Sequence, residues 1–204
     1  MKERGKFVVL EGGVGCGKTS QVNLLRRELP AWEFYREPGG TEFGEKVRDA
    51  VQADLSHDIH PYAALFGYSA SRTHLIRGVV IPKIEQGTNV LLDRYWYSSF
   101  AYQGAEGVSK PIIFAISLIA TKGLKPDLVL HYELLPEIGK DRKKKKADID
   151  RYDVKDLEFH NKVRENYLIL KRLFPGIWRT IDASQPINNV FVDSMTALHR
   201  RGIV

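Results

Sequence analysis

The stretch Gly12-Gly13-Val14-Gly15-Cys16-Gly17-Lys18-Thr19 follows an apolar run, Phe7-Val8-Val9-Leu10, and precedes a helix-like segment, Ser20-Gln21-Val22-Asn23-Leu24-Leu25. Strand, glycine loop, helix is the order a phosphate-binding P-loop requires. Glycines let the backbone curl until successive N–H groups point inward at an anion, and the helix N-terminus adds partial positive charge. Residues Gly12 to Ser20 are therefore the expected nucleoside triphosphate (ATP) site. Lys18 is placed to reach the β- and γ-phosphates, and the Thr19 hydroxyl to ligate Mg²⁺. A P-loop restricts the fold to an α/β layer structure, but alone it does not separate a kinase from a GTPase or an ATPase.

A chain of 204 residues suits one domain, residues 1–204, with a full core. Its apolar fraction of 43% and charged fraction of 27% are those of a globular protein. The apolar run behind the charged start is too short for a signal-peptide core, and Ile112 to Ala120 is about half the ~20 residues of a membrane span. A lone cysteine, Cys16, rules out an intramolecular disulfide framework and suits a cytoplasmic setting. Of the formal charge of +6, most sits between Lys140 and Arg151, where seven basic residues face three acidic ones. A nucleic-acid binder spreads its charge over a groove. Such concentration favours a local anion site or a solvated loop, and no nucleic-acid or membrane partner is expected.

Five β-rich runs alternate with helical patterns: Phe7–Glu11, Trp32–Arg36, Asn89–Asp93, Leu128–Glu133 and Ile177–Asp182. Helices are predicted near Lys18–Leu29, Glu42–Ala53, Pro61–Gln86 (broken near Pro82), Tyr97–Lys122, Pro136–Lys146, Lys155–Leu173 and Pro186–His199. Alternation of this kind predicts a five-stranded parallel sheet with helices on both faces. Ligands of such sheets bind beyond the carboxyl ends of the strands. The glycine loop, Arg36-Glu37-Pro38-Gly39-Gly40-Thr41 and Asp93-Arg94 each follow a strand and obey that rule.

Asp93 closes the apolar run Val90-Leu91-Leu92, where a carboxylate can hold Mg²⁺ or order its water shell. Arg94 beside it offers a planar fork to a phosphate, although an Asp-Arg pair at a strand end can also be a plain surface ion pair. Together with Arg36–Thr41 and the P-loop, Asp93–Gly104 resembles thymidylate kinase. The resemblance runs through nearly the whole chain. It implies a nucleoside monophosphate kinase-like P-loop NTPase fold with a mobile lid, transfer of the γ-phosphoryl of ATP to dTMP with Mg²⁺, and a homodimer. Leu65–Arg72 resembles the helix that holds thymine. Tyr68 and Arg72, four apart, share a helix face, so a ring can stack on a base while a guanidinium donates to a base carbonyl. By the same resemblance Ser99 contacts the base edge, Tyr102 packs near C2′ of the sugar, and Gln103 reaches between sugar and base. Glu37 and Pro38 line the acceptor site, and Arg48 joins Arg94 on the acceptor phosphate.

Pro136 through Arg151, extending to about residue 153, resembles the lid of the bacterial-type enzymes, in which the lid supplies the catalytic arginine. This P-loop carries no arginine, so Arg142 and Arg151 are the candidates, with Lys144 and Lys146 where the family often has arginine. Lysine is a point charge without the bidentate fork. Glu158, Phe159, Arg164 and Tyr167 continue the family pattern, and Ile181–Pro186 resembles the loop that passes the adenine.

Two positions depart from that pattern. The family usually has an acidic residue, addressed to the sugar 3′-hydroxyl, where this chain has Val14. Either water or another carboxylate, Glu37 being nearest, replaces it, or the hydroxyl is read loosely. Cys16 inside the phosphate nest is either a small residue that fits or a thiol activated by amides and Lys18. The competing readings are another nucleoside or nucleotide kinase, a non-catalytic ATP-binding switch, and nucleic-acid binding through Lys143–Lys146.

Overall fold

The computed structural model describes residues 3–53, 58–144 and 150–204. In chain order the elements are β1 (Phe7–Gly12), α1 (Lys18–Glu28), β2 (Glu33–Arg36), α2 (Glu42–Arg48), α3 (Pro61–Leu75), α4 (Ile81–Glu85), β3 (Val90–Asp93), α5 (Trp96–Ala105), α6 (Lys110–Thr121), β4 (Leu128–Glu133), α7 (Pro136–Lys144), α8 (Leu157–Leu173), β5 (Trp178–Asp182) and α9 (Ile187–Arg200). The five strands form one sheet in the order β2-β3-β1-β4-β5, and every pairing is parallel.

Parallel strands buried on both faces read as continuous apolar runs, and β1 is buried at every residue. Alternate side chains enter opposite layers. Phe7 and Val9 join a core with Leu65 and Leu75 of α3, Phe100 of α5 and Tyr167 of α8. Val8 and Leu10 join a second core with Leu25 of α1 and Val190 and Leu198 of α9. Each fully buried Phe or Leu of this kind contributes about 1.5–3 kcal/mol of transfer free energy. The glycine loop thus springs from a firmly packed central strand. All five strands end toward the same edge, which brings the loops after β1, β2 and β3 together.

The strands match expectation to within a residue at either end, and β4 matches throughout. Three helical expectations need correction. The helix predicted over Pro61–Gln86 does not break at Pro82. It widens into a π-type turn at Ile76–Val80, and Pro82 sits in the first turn of α4. The helix predicted over Tyr97–Lys122 is two helices, interrupted where Gly107 turns left-handed at φ 92° and restarted with Pro111 in the first turn of α6. The segment Glu42–Ala53 begins as α2, capped by the Thr41 side chain accepting from Gly44 N–H, and ends as a π-type turn over Asp49–Ala53. No helix among the described residues is long and apolar enough to cross a membrane.

Candidate active site

The glycine loop takes its shape from two left-handed residues, Gly15 (φ 62°) and Gly17 (φ 85°), after which α1 begins at Lys18. Such φ values strain a residue with a Cβ. The Lys18 ammonium folds back and donates to the Gly12 carbonyl at 3.2 Å, 3.6 Å from Cys16 Sγ. Gly13 through Thr19 line a central cavity of about 160 Å³ that runs on past Glu37, Pro38, Tyr68, Arg72, Arg94, Ser99, Tyr102 and Gln103. Ser20 lies on the far side of the loop, in an adjoining cavity of about 630 Å³ bounded by Ala183–Ile187, where the adenine loop was expected.

At the phosphate end, Arg94 stands at the close of β3 with φ 70°. Its guanidinium donates to Ser98 Oγ at 3.0 Å and to the Gly12 carbonyl at 3.4 Å, and lies 5.1 Å over the Tyr102 ring. Arg48 donates to the Pro38 carbonyl at 3.3 Å. It shares a cavity wall with Thr19, Asp93 and Arg94. Burial, then repulsion from Arg36 and Arg94, pulls its pKa down. Cations crowded in this way favour an anion between them. Asp93 presents a buried Oδ1 with no hydrogen-bond partner among the described residues, beside Thr19.

The other end of the cleft is built from side chains of four elements. Arg72 of α3 donates through Nε to Glu37 Oε2 at 2.5 Å, and through Nη2 to Ser99 Oγ of α5 at 3.2 Å. Both partners of the ion pair are buried, which lifts the Glu37 carboxyl to about 7 against the opposing pull of Arg72. Arg72 Nη1, Glu37 Oε1 and Gln103 Oε1 have no partners among the described residues. Buried polar atoms are ordinarily satisfied, so orphans aimed at one cavity mark where a polar ligand would bind. Tyr68 and Gln103 both donate to the Tyr152 hydroxyl, at 3.3 and 2.7 Å. Burial pushes the Tyr68 and Tyr102 phenols up to about 12, which keeps both neutral.

The lid cations lie differently from expectation. Arg142 donates to the Ala183 and Ser184 carbonyls at 2.8 and 3.3 Å, which places it against the loop after β5. Arg151 is buried, donates to Glu106 at 2.9 Å and to the Ile59 carbonyl at 3.2 Å, and does not line the central cavity. Lys144 pairs with exposed Asp141, and Lys146 lies outside the described residues. Among the described lid cations, Lys143 lines the cleft, 3.0 Å from Asp153. Hydrogen bonding, not helix phase, separates Arg142 from Lys143. Gly139 presses on the P-loop so closely that a Cβ there would stand 2.2 Å from the Val14 carbonyl. Arg142 and Lys143, three and four residues on, both lie over that face, and Arg142 is held away from the central cavity by its bonds to the Ala183 and Ser184 carbonyls.

Sequence reasoning also passed over Glu11, read only as the end of a strand. Its buried carboxylate accepts from Tyr95 N–H (2.8 Å), Ser98 Oγ (2.7 Å) and the Tyr167 hydroxyl (2.9 Å). These bonds fix the turn that carries Arg94. A carboxylate closing an apolar strand immediately before a glycine loop was the available signal. His160 and Tyr152 were missed as well, and nothing in their local spacing would have revealed them.

A triphosphate cradle facing a second, side-chain-built pocket across one parallel sheet defines a P-loop phosphotransferase that acts on a second small ligand. Comparison with known proteins narrows this class. The thymidylate kinase family model matches residues 10–193. A thymidylate kinase of Caldanaerobacter subterraneus subsp. tengcongensis is 42% identical over 190 residues, 90% of each chain. That of Deinococcus radiodurans is 39% identical over 204 residues, 98% of each chain, and that of Chlamydia caviae is 34% identical over 198 residues. The chain belongs to the thymidylate kinase family.

Proposed function

We propose that the chain phosphorylates dTMP to dTDP with ATP, as one P-loop kinase domain. The observation that carries this reading is the single cleft, with main-chain amides and Lys18 at one end and the orphaned polar atoms of Arg72, Glu37 and Gln103 at the other. Thymine offers carbonyl oxygens to Arg72 Nη1, and Tyr68 supplies a face for stacking. Arg48 and Arg94 hold the acceptor phosphate, one oxygen of which attacks the γ-phosphorus in line while ADP leaves. Lys18 and Lys143 neutralise the equatorial oxygens, and Arg142 braces the adenine loop. Such catalysis is positioning and charge neutralisation, without a covalent enzyme intermediate.

Mg²⁺ fits the residues present. Thr19 supplies a hydroxyl and Asp93 a carboxylate oxygen without another partner. Among the described residues no group of three or more His, Cys, Asp or Glu side chains could cage a metal. Mg²⁺ commonly binds through one or two protein oxygens with substrate phosphates and water. Held there by Thr19 and Asp93, it would offset the negative charge of the triphosphate. We also read the protein as cytoplasmic and homodimeric. The dimer reading is supported by the exposed apolar residues Ile112, Leu118 and Ile119 on α6.

The test is product analysis across dTMP, dUMP, dCMP, dGMP and thymidine with ATP and Mg²⁺. The reading expects dTDP and ADP in equal amounts, with dTMP the preferred acceptor. ADP release independent of any monophosphate would replace it with an ATPase or switch.

A further inference from the structure

His160 lies in the first turn of α8, whose N-cap Asp156 accepts from Phe159 N–H at 2.8 Å. It is 3% exposed, and neither ring nitrogen makes a hydrogen bond with the described residues. A buried imidazole without partners is costly, yet this one borders the central cavity beside Val14. Behind it is a second cavity of about 10 Å³, lined also by His131, Glu133 and Arg164. That is about the room of a single water.

We propose that His160 is a specificity-determining residue that hydrogen-bonds the sugar hydroxyl of the acceptor nucleotide. The proposal rests on the dTMP reading of the site. With the phosphate among Arg48, Arg94 and Lys18 and the base at Arg72 and Gln103, the sugar spans the middle of the cleft, where Val14 and His160 form the wall. Valine offers no polar atom there. Of the neighbouring carboxylates, Asp153 is engaged by Lys143 and the Asp150 N–H, and Asp150 by the Tyr152 and Asp153 N–H groups, while Glu37 keeps Oε1 free at the base end, where its other oxygen holds Arg72. At the Val14 wall, among the described residues, His160 is an uncommitted group. A neutral imidazole has an acceptor nitrogen, and a hydroxyl has a proton to give it. Burial, then the nearby Lys140, holds the ring pKa below its ordinary value, which favours the neutral form. The Tyr152 backbone carbonyl acts in the opposite direction without reaching hydrogen-bond geometry.

The experiment compares kcat/KM for dTMP and for 3′-deoxy-dTMP. A neutral hydrogen bond predicts a preference of about three- to tenfold for dTMP in the native enzyme. That preference should fall to near one in His160→Phe and persist in His160→Asn. A purely structural role would lower both substrates alike and leave the ratio intact, which would overturn the proposal. So would a native ratio near one. Should His160→Phe not fold, ¹⁵N-histidine spectra of the native protein decide: dTMP must shift a His160 ring nitrogen, and 3′-deoxy-dTMP must leave it where it was. Equal spectra with the two ligands reject the proposal. Failure to turn over dTMP at all would instead remove the underlying functional reading, and the proposal with it.

Discussion

The two ends of the cleft are made in different ways. The phosphate end is chiefly main chain: one short loop between β1 and α1, with two left-handed glycines and a lysine folded over its own backbone. The acceptor end is chiefly side chain, with Glu37 after β2, Tyr68 and Arg72 on α3, Ser99 and Gln103 on α5, and Tyr152 and His160 flanking the start of α8. A main-chain site depends on a few residues close together in sequence. A side-chain site depends on packing between helices far apart in sequence, so it can be retuned one residue at a time. Its cost is a buried ion pair whose halves depend on each other.

Substitutions can break or sharpen that contrast. The largest expected effect is on stability at the acceptor end. Glu37→Ala leaves the Arg72 guanidinium buried without its carboxylate, and removing one partner of such a pair costs about 3–5 kcal/mol. Glu37→Gln keeps an acceptor for Arg72 and should lose much less, as denaturant titration would show. At the phosphate end, Lys18→Ala should lower kcat by about 10²–10³-fold, the scale for one charge-stabilising donor, while the dTMP KM changes little. A comparable rise in KM would mean that the two ends are not separable. Gly139→Ala tests how the lid meets the loop. The new Cβ must push α7 off the Val14 carbonyl, and a displacement near 1 Å costs about 10²-fold in kcat, with the melting temperature unchanged.

The effect with the smallest change per step of the measurement is a pH slope. Burial, with Lys18 next, holds His131 at about 3, far below the ordinary 6.5. Its contribution to stability is intact above about pH 6.5 and is lost as pH falls toward 3, by up to about 1.4 kcal/mol per pH unit. Glu37 has the opposite sign. Its raised pKa gives a contribution fully present below 4.5 and lost as pH rises through about 7. His131→Phe should flatten the acid limb between pH 6.5 and 4, and an unchanged slope would assign that limb to other groups.

The same contrast explains what the sequence made legible. Five parallel strands and the P-loop could be read directly, because apolar runs and glycine spacing are local signals. Arg72, Ser99 and Gln103 were named only through family resemblance, since no spacing links α3 to α5. The catalytic lid candidates Arg142 and Arg151 bond to the loop after β5 and to Glu106, and Lys143 lines the cleft. The long-range bonds that draw Arg142 to the Ala183 and Ser184 carbonyls are invisible in a run of four lysines. The helix break at Gly107 was missed because apolar periodicity continues on either side of it.

A bisubstrate mimic, adenosine and thymidine joined through their 5′ oxygens by a pentaphosphate, probes the shared cleft most directly. If the triphosphate cradle and the Arg72 pocket open onto one transfer path, the mimic will compete with both ATP and dTMP in steady-state inhibition. Competition with ATP alone, and a non-competitive pattern against dTMP, would place the second ligand elsewhere and contradict the account.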